Sequence, residues 1–239
     1  DYFVKIMNQK NSLELNLCFM DLDDPIELFD KWYDEAKKSE INDPNAIALA
    51  TSNINNIPSV RMVLMKEFNE KGFVFYTNLN SQKSREIKEN PNASMCFHWK
   101  SLLRQVRING AIEPVKDQQA DQYYNSRGYE SRIGAWASKQ STVLNNRNEL
   151  LDAISKFKEK FKDKDNVPRP SHWSGWNLIP NSIEFWLDGE NRIHERLKYQ
   201  KDVPACAQGH QQASALLTPV TEIEQRSQIT VGGTRHTRP

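Results

Sequence analysis

Five groups of side chains in this chain have the types and spacing to hold a flat, phosphorylated molecule. The densest is Tyr123–Ser141, YYNSRGYESRIGAWASKQS. Tyr123, Arg127, Ser131, Lys139, Gln140 and Ser141 supply hydroxyl, guanidinium, ammonium and amide groups around an apolar centre, Ile133-Gly134-Ala135-Trp136. A solvated loop has no need of that centre, and a core element would not carry so many charges. The mixture suits a segment packed on one side and offering anion-binding donors on the other.

The second group is Arg61-Met62-Val63-Leu64-Met65-Lys66. On a regular strand Arg61 and Lys66 point to opposite faces, so they converge only if a bulge intervenes. The third is Tyr76-Thr77-Asn78-Leu79-Asn80-Ser81-Gln82-Lys83, a strand running into a capped helix. Free N–H groups, hydroxyls and a lysine at a helix start commonly cradle a phosphate. The fourth is Arg104–Gly110, where alternation sets Gln105, Arg107 and Asn109 on one face and Gln105 could bond a planar heterocycle. The fifth is Trp186 followed by Arg192-Ile193-His194-Glu195-Arg196. Alternation there puts Arg192, His194 and Arg196 together, and three basic groups repel one another unless an anion or acid lies opposite. Each group alone also fits a solvated strand end or an ordinary capped helix. Their number argues for a site.

The reaction machinery of other enzyme classes is missing. The sequence has no G-x-G-x-x-G, Walker loop, H-E-x-x-H or G-x-S-x-G motif, and no metal-ligand set. Its three cysteines, Cys18, Cys96 and Cys206, are too few and too far apart for a disulfide framework and read as free thiols of a cytoplasmic protein. A chain with phosphate-binding clusters, one well-flanked imidazole and no nucleophile borrows its chemistry from a cofactor.

The elements that must position these groups are mostly strands. Pro25 at a first helical turn opens Ile26–Lys38, whose Ile26, Phe29, Trp32, Tyr33 and Ala36 repeat at helical spacing. Short β-rich runs follow over 46–51, 59–68, 73–77, 93–99 and 104–115, with a helix over 82–89. Tight connections favour an antiparallel sheet closing into a barrel, mainly β with flanking helices. Further helices are predicted over 117–126, capped by Asp117, and over 142–161, with a buried stripe of Leu144, Leu151, Ile154, Phe157 and Phe161. Strands over 183–187 and 192–199 form a hairpin around Asp188–Asn191.

Residues 1–23 show no clean period and read as a mobile arm, 24–201 as the folded domain, and 202–239 as an atypical, disordered tail. That tail contains no Lys, Asn or aromatic residue. No signal-peptide h-region and no apolar run of ~18 residues is present, and a net charge of +1 makes no general case for nucleic acid or membrane partners. Anion binding must therefore be local.

Taken together, RMVLMK (61–66), FYTN (75–78), RQVRINGA (104–111), IGAWASKQS (133–141), IEFW (183–186) and RIHER (192–196) resemble the pyridoxine/pyridoxamine 5′-phosphate oxidase family over residues 24–200. The resemblance implies an FMN-binding split β-barrel, antiparallel and Greek-key-like, that forms a homodimer with the flavin at the interface. It implies oxidation of pyridoxamine or pyridoxine 5′-phosphate by dioxygen. The family's flavin contacts map onto Arg61, Met62, Val63, Leu64, Met65, Lys66, Tyr76, Thr77, Gln82, Lys83, Gln105, Gln140, Ser141, Trp186 and Arg196. Its substrate contacts map onto Lys66, Tyr123, Arg127, Ser131, Arg192 and His194, the last two catalytic. Gln82 stands where the family usually has an arginine, the usual arm residues find no match in 1–20, and the usual C-terminal Trp and Arg-Leu-x-Pro are missing. A non-catalytic flavin or pyridoxal-phosphate binder, or another split-barrel flavin reductase, is the rival reading.

Overall fold

The computed structural model of the chain describes residues 3–9, 22–189, 192 and 194–201. The sheet contains β1 (Phe3–Gln9), β2 (Ala46–Ser52), β3 (Pro58–Asn69), β4 (Gly72–Asn78), β5 (Asn92–Trp99), β6 (Arg104–Pro114), β7 (Trp173–Leu187) and β8 (Glu195–Lys201). Its helices are α1 (Pro25–Ser39), α2 (Gln82–Glu89), α3 (Asp117–Ser126), α4 (Tyr129–Ala137) and α5 (Asn148–Lys160).

All strand pairings are antiparallel, in the order β1-β8-β7-β4-β3-β2-β5-β6, and β6 pairs back onto β7. Six strands therefore close a barrel, and β8 and β1 continue the sheet beyond it. The fold class expected from the tight connections is the one observed. β7 is the hinge of this arrangement. Its first part pairs with β4 through Leu178 and its second part with β8 from Ser182, while β6 runs along nearly all of it.

Alternating residues fill the barrel, among them Ile47, Leu49, Phe73, Phe75, Met95, Phe97, Val106, Ile108, Ile183 and Phe185. α1 covers them. Asp24 caps it by accepting from the Ile26 N–H at 2.8 Å, and Phe29 inserts with ring centroids 4.9–5.0 Å from Phe68, Phe73 and Phe97. Burying that ring completely contributes about 2 kcal/mol.

Several expectations are corrected. The N-terminal arm holds a strand, β1, on the outer side of β8. Residues 10–21 and the tail 202–239 lie outside the described residues. Asp117 is not the cap of α3, which is Lys116; Asp117 sits in the first turn and accepts from Arg169 at 2.7 Å. The helix expected over 142–161 starts only at Asn148, because the Asn146 side chain accepts the Glu149 backbone N–H and so competes with helix formation upstream. No residue of α5 is buried, and Leu144 and Leu151 are exposed. Phe157 and Phe161 pack instead on Trp136 of α4, with centroids 5.5 and 5.1 Å apart. Finally, β7 begins ten residues before the expected strand; Pro180 is tolerated there because a register shift at Asn109/Gly110 faces it.

Candidate active site

Two separate clusters hold the residues singled out by type and spacing. The first surrounds a cavity of about 780 Å3 between β3, β4, the start of α2, and the α3–α4 region. Arg61, Met62, Val63, Leu64, Lys66, Tyr76, Thr77, Gln82, Lys83, Tyr123, Arg127, Ser131, Gln140 and Ser141 all line it. Met65 does not; it points into the core.

A bulge brings Arg61 and Lys66 to the same cavity. Met65 pairs with Phe75 but Glu67 pairs with Val74, which leaves Lys66 as the extra residue of β3. Lys66 is exposed, whereas Arg61 is already engaged. Arg61 donates to Glu86 at 3.1 Å, to Ser59 at 2.5 Å and to Thr51. Glu86 also accepts from Thr51, Ser59 and Gln82, at 2.5, 2.6 and 2.8 Å. Burial works to raise the Glu86 pKa, but the bonds from Ser59, Thr51, Gln82 and Arg61 outweigh it and hold the carboxyl at about 2. Sequence reasoning missed this carboxylate. The one signal for it was its place on α2 one turn after Gln82.

Lys83 is buried and donates only to neutral oxygens: Thr77 Oγ1 at 3.2 Å, Ser81 Oγ at 3.3 Å and Gln140 Oε1 at 3.2 Å. Burial first, and the Arg61 charge second, lower its pKa to about 8, with Glu86 opposing. Ser141, in the left-handed region at φ 62, accepts the Gln82 backbone N–H at 3.2 Å. The 138–141 segment is thereby tied to the first turn of α2, some sixty positions away in sequence.

On the opposite wall, Tyr76 stacks on Tyr123 (centroids 4.0 Å, 12°) and on Trp173 (5.4 Å, 5°). The Tyr76 hydroxyl donates to Glu67 at 2.8 Å, and Gln119 holds the other oxygen of that carboxylate. Burial and then this bond to Glu67 push the Tyr76 pKa well up, so it stays a phenol. Arg127 lies over Trp173 at 4.8 Å, and its buried Nη1 has no hydrogen-bond partner among the described residues. A buried guanidinium nitrogen left without an acceptor is costly, and an incoming anion would satisfy it. Trp173 carried no sequence signal; its role emerges only from the pairing of β4 with β7.

The second cluster lies across β6, β7 and β8. Gln105, Trp186 and Arg196 are direct cross-strand neighbours in one row. Glu184 accepts from Arg107 at 2.7 Å and from Arg196 at 3.0 Å, which supplies the acid that clustered basic groups require. The expected strand alternation of Arg192, His194 and Arg196 fails. β8 starts only at Glu195, Arg192 is exposed with a left-handed φ of 64, and His194 sits in the connection before the strand. None of Gln105, Trp186, Arg192, His194 and Arg196 lines the cavity of the first cluster.

The first cluster fits a phosphate-bearing flavin: a buried lysine bonded to neutral oxygens, a guanidinium with one buried nitrogen unpartnered among the described residues, and flat aromatic walls. Fold and cavity together define an antiparallel barrel protein whose cavity is lined by cationic, hydroxyl and aromatic side chains.

Two family descriptions match the chain: "Pyridoxamine 5'-phosphate oxidase" over residues 33–161, and "Pyridoxine 5'-phosphate oxidase C-terminal dimerisation region" over 173–213. The second match runs past residue 202, where the sequence changes in kind. A pyridoxine/pyridoxamine 5'-phosphate oxidase of Pelagibacter ubique is 73% identical over 196 residues, 82% of this chain and 94% of that one. One of Allorhizobium ampelinum is 52% identical over 77% of this chain and 89% of the relative. Among solved structures, PhzG of Burkholderia lata in complex with tetrahydrophenazine-1-carboxylic acid has a TM-score of 0.73 and 28% identity, covering 79% of this chain and 92% of its own. The chain belongs to the pyridoxine/pyridoxamine 5′-phosphate oxidase family of oxidoreductases.

Proposed function

We propose that this chain is a cytoplasmic, FMN-dependent oxidase converting pyridoxamine or pyridoxine 5′-phosphate to pyridoxal 5′-phosphate. Oxygen is the acceptor, hydrogen peroxide is released, and the amine substrate also consumes water and releases ammonia. The observation that carries the reading is the cavity, which Lys66, Tyr123, Arg127 and Ser131 line together with Lys83, Thr77 and Gln140. Bound there, FMN would accept a hydride equivalent from the substrate and pass the electrons to dioxygen.

The rest is done by the protein's own groups. Lys83, Thr77, Gln140 and Ser141 suit the flavin phosphate. Lys66, Arg127, Tyr123 and Ser131 suit the substrate phosphate, each charge-assisted bond being worth roughly 1.5–3 kcal/mol. Arg192 and His194, together with Gln105, Trp186 and Arg196, belong to the same site but come from a second copy of the chain. Their distance from the cavity in one subunit supports a homodimer, as does the family described by its dimerisation region. Holding donor carbon and acceptor in register is the protein's main contribution, consistent with a cavity whose lining, among the described residues, includes no Asp, Glu or His.

Two measurements on purified protein test this. Pyridoxamine 5′-phosphate should bleach the flavin absorbance without oxygen, and stoichiometric peroxide should appear when air is admitted. Flavin that stays oxidised under anaerobic substrate would instead point to a non-catalytic binder.

A further inference from the structure

The connection from β7 to β8 holds a contact that the assignments above do not use. Asp188 directly follows the last residue of β7, and its backbone N–H donates to the Leu103 carbonyl at 2.9 Å. Leu103 is itself in a left-handed conformation, φ 54, and leads into β6, so Asp188 is anchored to the barrel. Six residues later, His194 Nδ1 lies 2.9 Å from Asp188 Oδ1. The imidazole also rests against the Trp186 indole, with centroids 4.7 Å apart. A third group, the Gly189 backbone N–H, points at the same Nδ1 from 3.3 Å.

The two polar contacts demand opposite states of a neutral imidazole. A carboxylate only accepts, so Asp188 needs a proton on Nδ1, whereas an amide N–H needs a lone pair there. The carboxylate contact is shorter, and charge-assisted bonds are roughly twice as strong as neutral ones. It prevails. We propose that Asp188 is a positioning residue that holds His194 as the Nδ1–H tautomer and keeps Nε2 as a bare acceptor for the substrate. An acceptor at that place matches the O–H and N–H groups of a pyridoxine-type ring. The Trp186 face and the Asp188 bond together fix both the plane and the edge of the imidazole. The inference rests on the placement of His194 against the substrate proposed above, but the tautomer itself does not.

The experiment uses holoenzyme labelled with 15N-histidine. The chain has five histidines, and His194→Gln identifies the relevant signals. Long-range 15N–1H correlations should report Nδ1–H at His194 in the wild type and a shift to Nε2–H in Asp188→Ala. Asp188→Ala should lower kcat about tenfold, with KM changed less than threefold and FMN content unchanged, and Asp188→Glu should recover most of both signals. An Nε2–H tautomer in the wild type overturns the proposal. So does full kcat in Asp188→Ala while His194→Ala is inactive. If His194→Ala itself turns over normally, the substrate placement fails, and the NMR result alone then decides whether Asp188 sets the tautomer.

Discussion

At the residue scale, Lys83 concentrates the electrostatics of the cavity. It is a buried ammonium surrounded by neutral oxygens, with Arg61 near enough to repel it and a pKa lowered to about 8. The unfolded chain binds this proton up to the ordinary value of 10.5, so between pH 8 and 10.5 the unfolded state holds more protons than the folded one. Lys83 therefore disfavours the unliganded fold below pH 8, and that cost fades as pH rises. Binding a phosphate beside it reverses the preference, because the anion stabilises the charged form. Flavin affinity should then be highest near neutral pH and fall by up to about tenfold per unit above pH 8. The phosphate's own second ionisation, at about 6, is complete before this window opens. Quenching of flavin fluorescence on titration with apoprotein between pH 7 and 9 measures the slope, and Lys83→Met should flatten it. A slope unchanged in that variant would remove Lys83 from the phosphate site. The sequence made Lys83 legible, through its position at a helix start, but not its partners. Gln140 lies 57 residues away, and the Arg61–Glu86 pair joins β3 to α2 across 25 residues of sequence.

At the element scale, local periodicity located most pieces and lost accuracy where tertiary contacts override it. Helices over 82–89 and 117–126 span the expected residues, although neither N-cap side chain makes a capping bond. β7 was half hidden because Gly175, Asn177 and Pro180 break its alternation, and only its three neighbouring strands make the fifteen-residue run coherent. The alternation of RIHER predicts strand positions for Arg192 and His194; the Asp188–His194 contact closes a longer connection that alternation cannot reveal. The β6–β7 seam gives a stability test. A Cβ on Gly110 would stand 1.9 Å from the Ile179 carbonyl oxygen, which is backbone and cannot swing aside. Gly110→Ala should force the two strands apart next to their bulge, at a cost of about 3 kcal/mol. Urea denaturation reads that loss directly, and a midpoint equal to wild type would mean the seam is looser than the register implies.

At the scale of the whole molecule, the residues singled out fall in two separate places. One chain offers the cavity with Lys66, Lys83 and Arg127, and elsewhere the row of Gln105, Trp186 and Arg196 with His194 at its end. At the cavity itself, β3 leaves the lining residues Val60, Met62 and Leu64 with 68%, 66% and 37% exposure, an apolar strip suited to burial against another copy. If each complete site takes its cavity from one subunit and its β8 edge from the other, two inactive variants should rescue each other. Arg127→Ala damages only the cavity, and His194→Ala only the edge. Random reassociation of equal amounts makes about half of the dimers mixed, and each mixed dimer contains one undamaged site and one carrying both lesions. Peroxide production should therefore recover to about a quarter of the wild-type rate per subunit. Dissociation in mild denaturant, mixing and refolding supplies the sample, with each variant treated alone as the baseline. Recovery no greater than the two baselines, in a mixture shown to contain mixed dimers, would place the whole site within one subunit and require the β7–β8 connection to reach its own cavity.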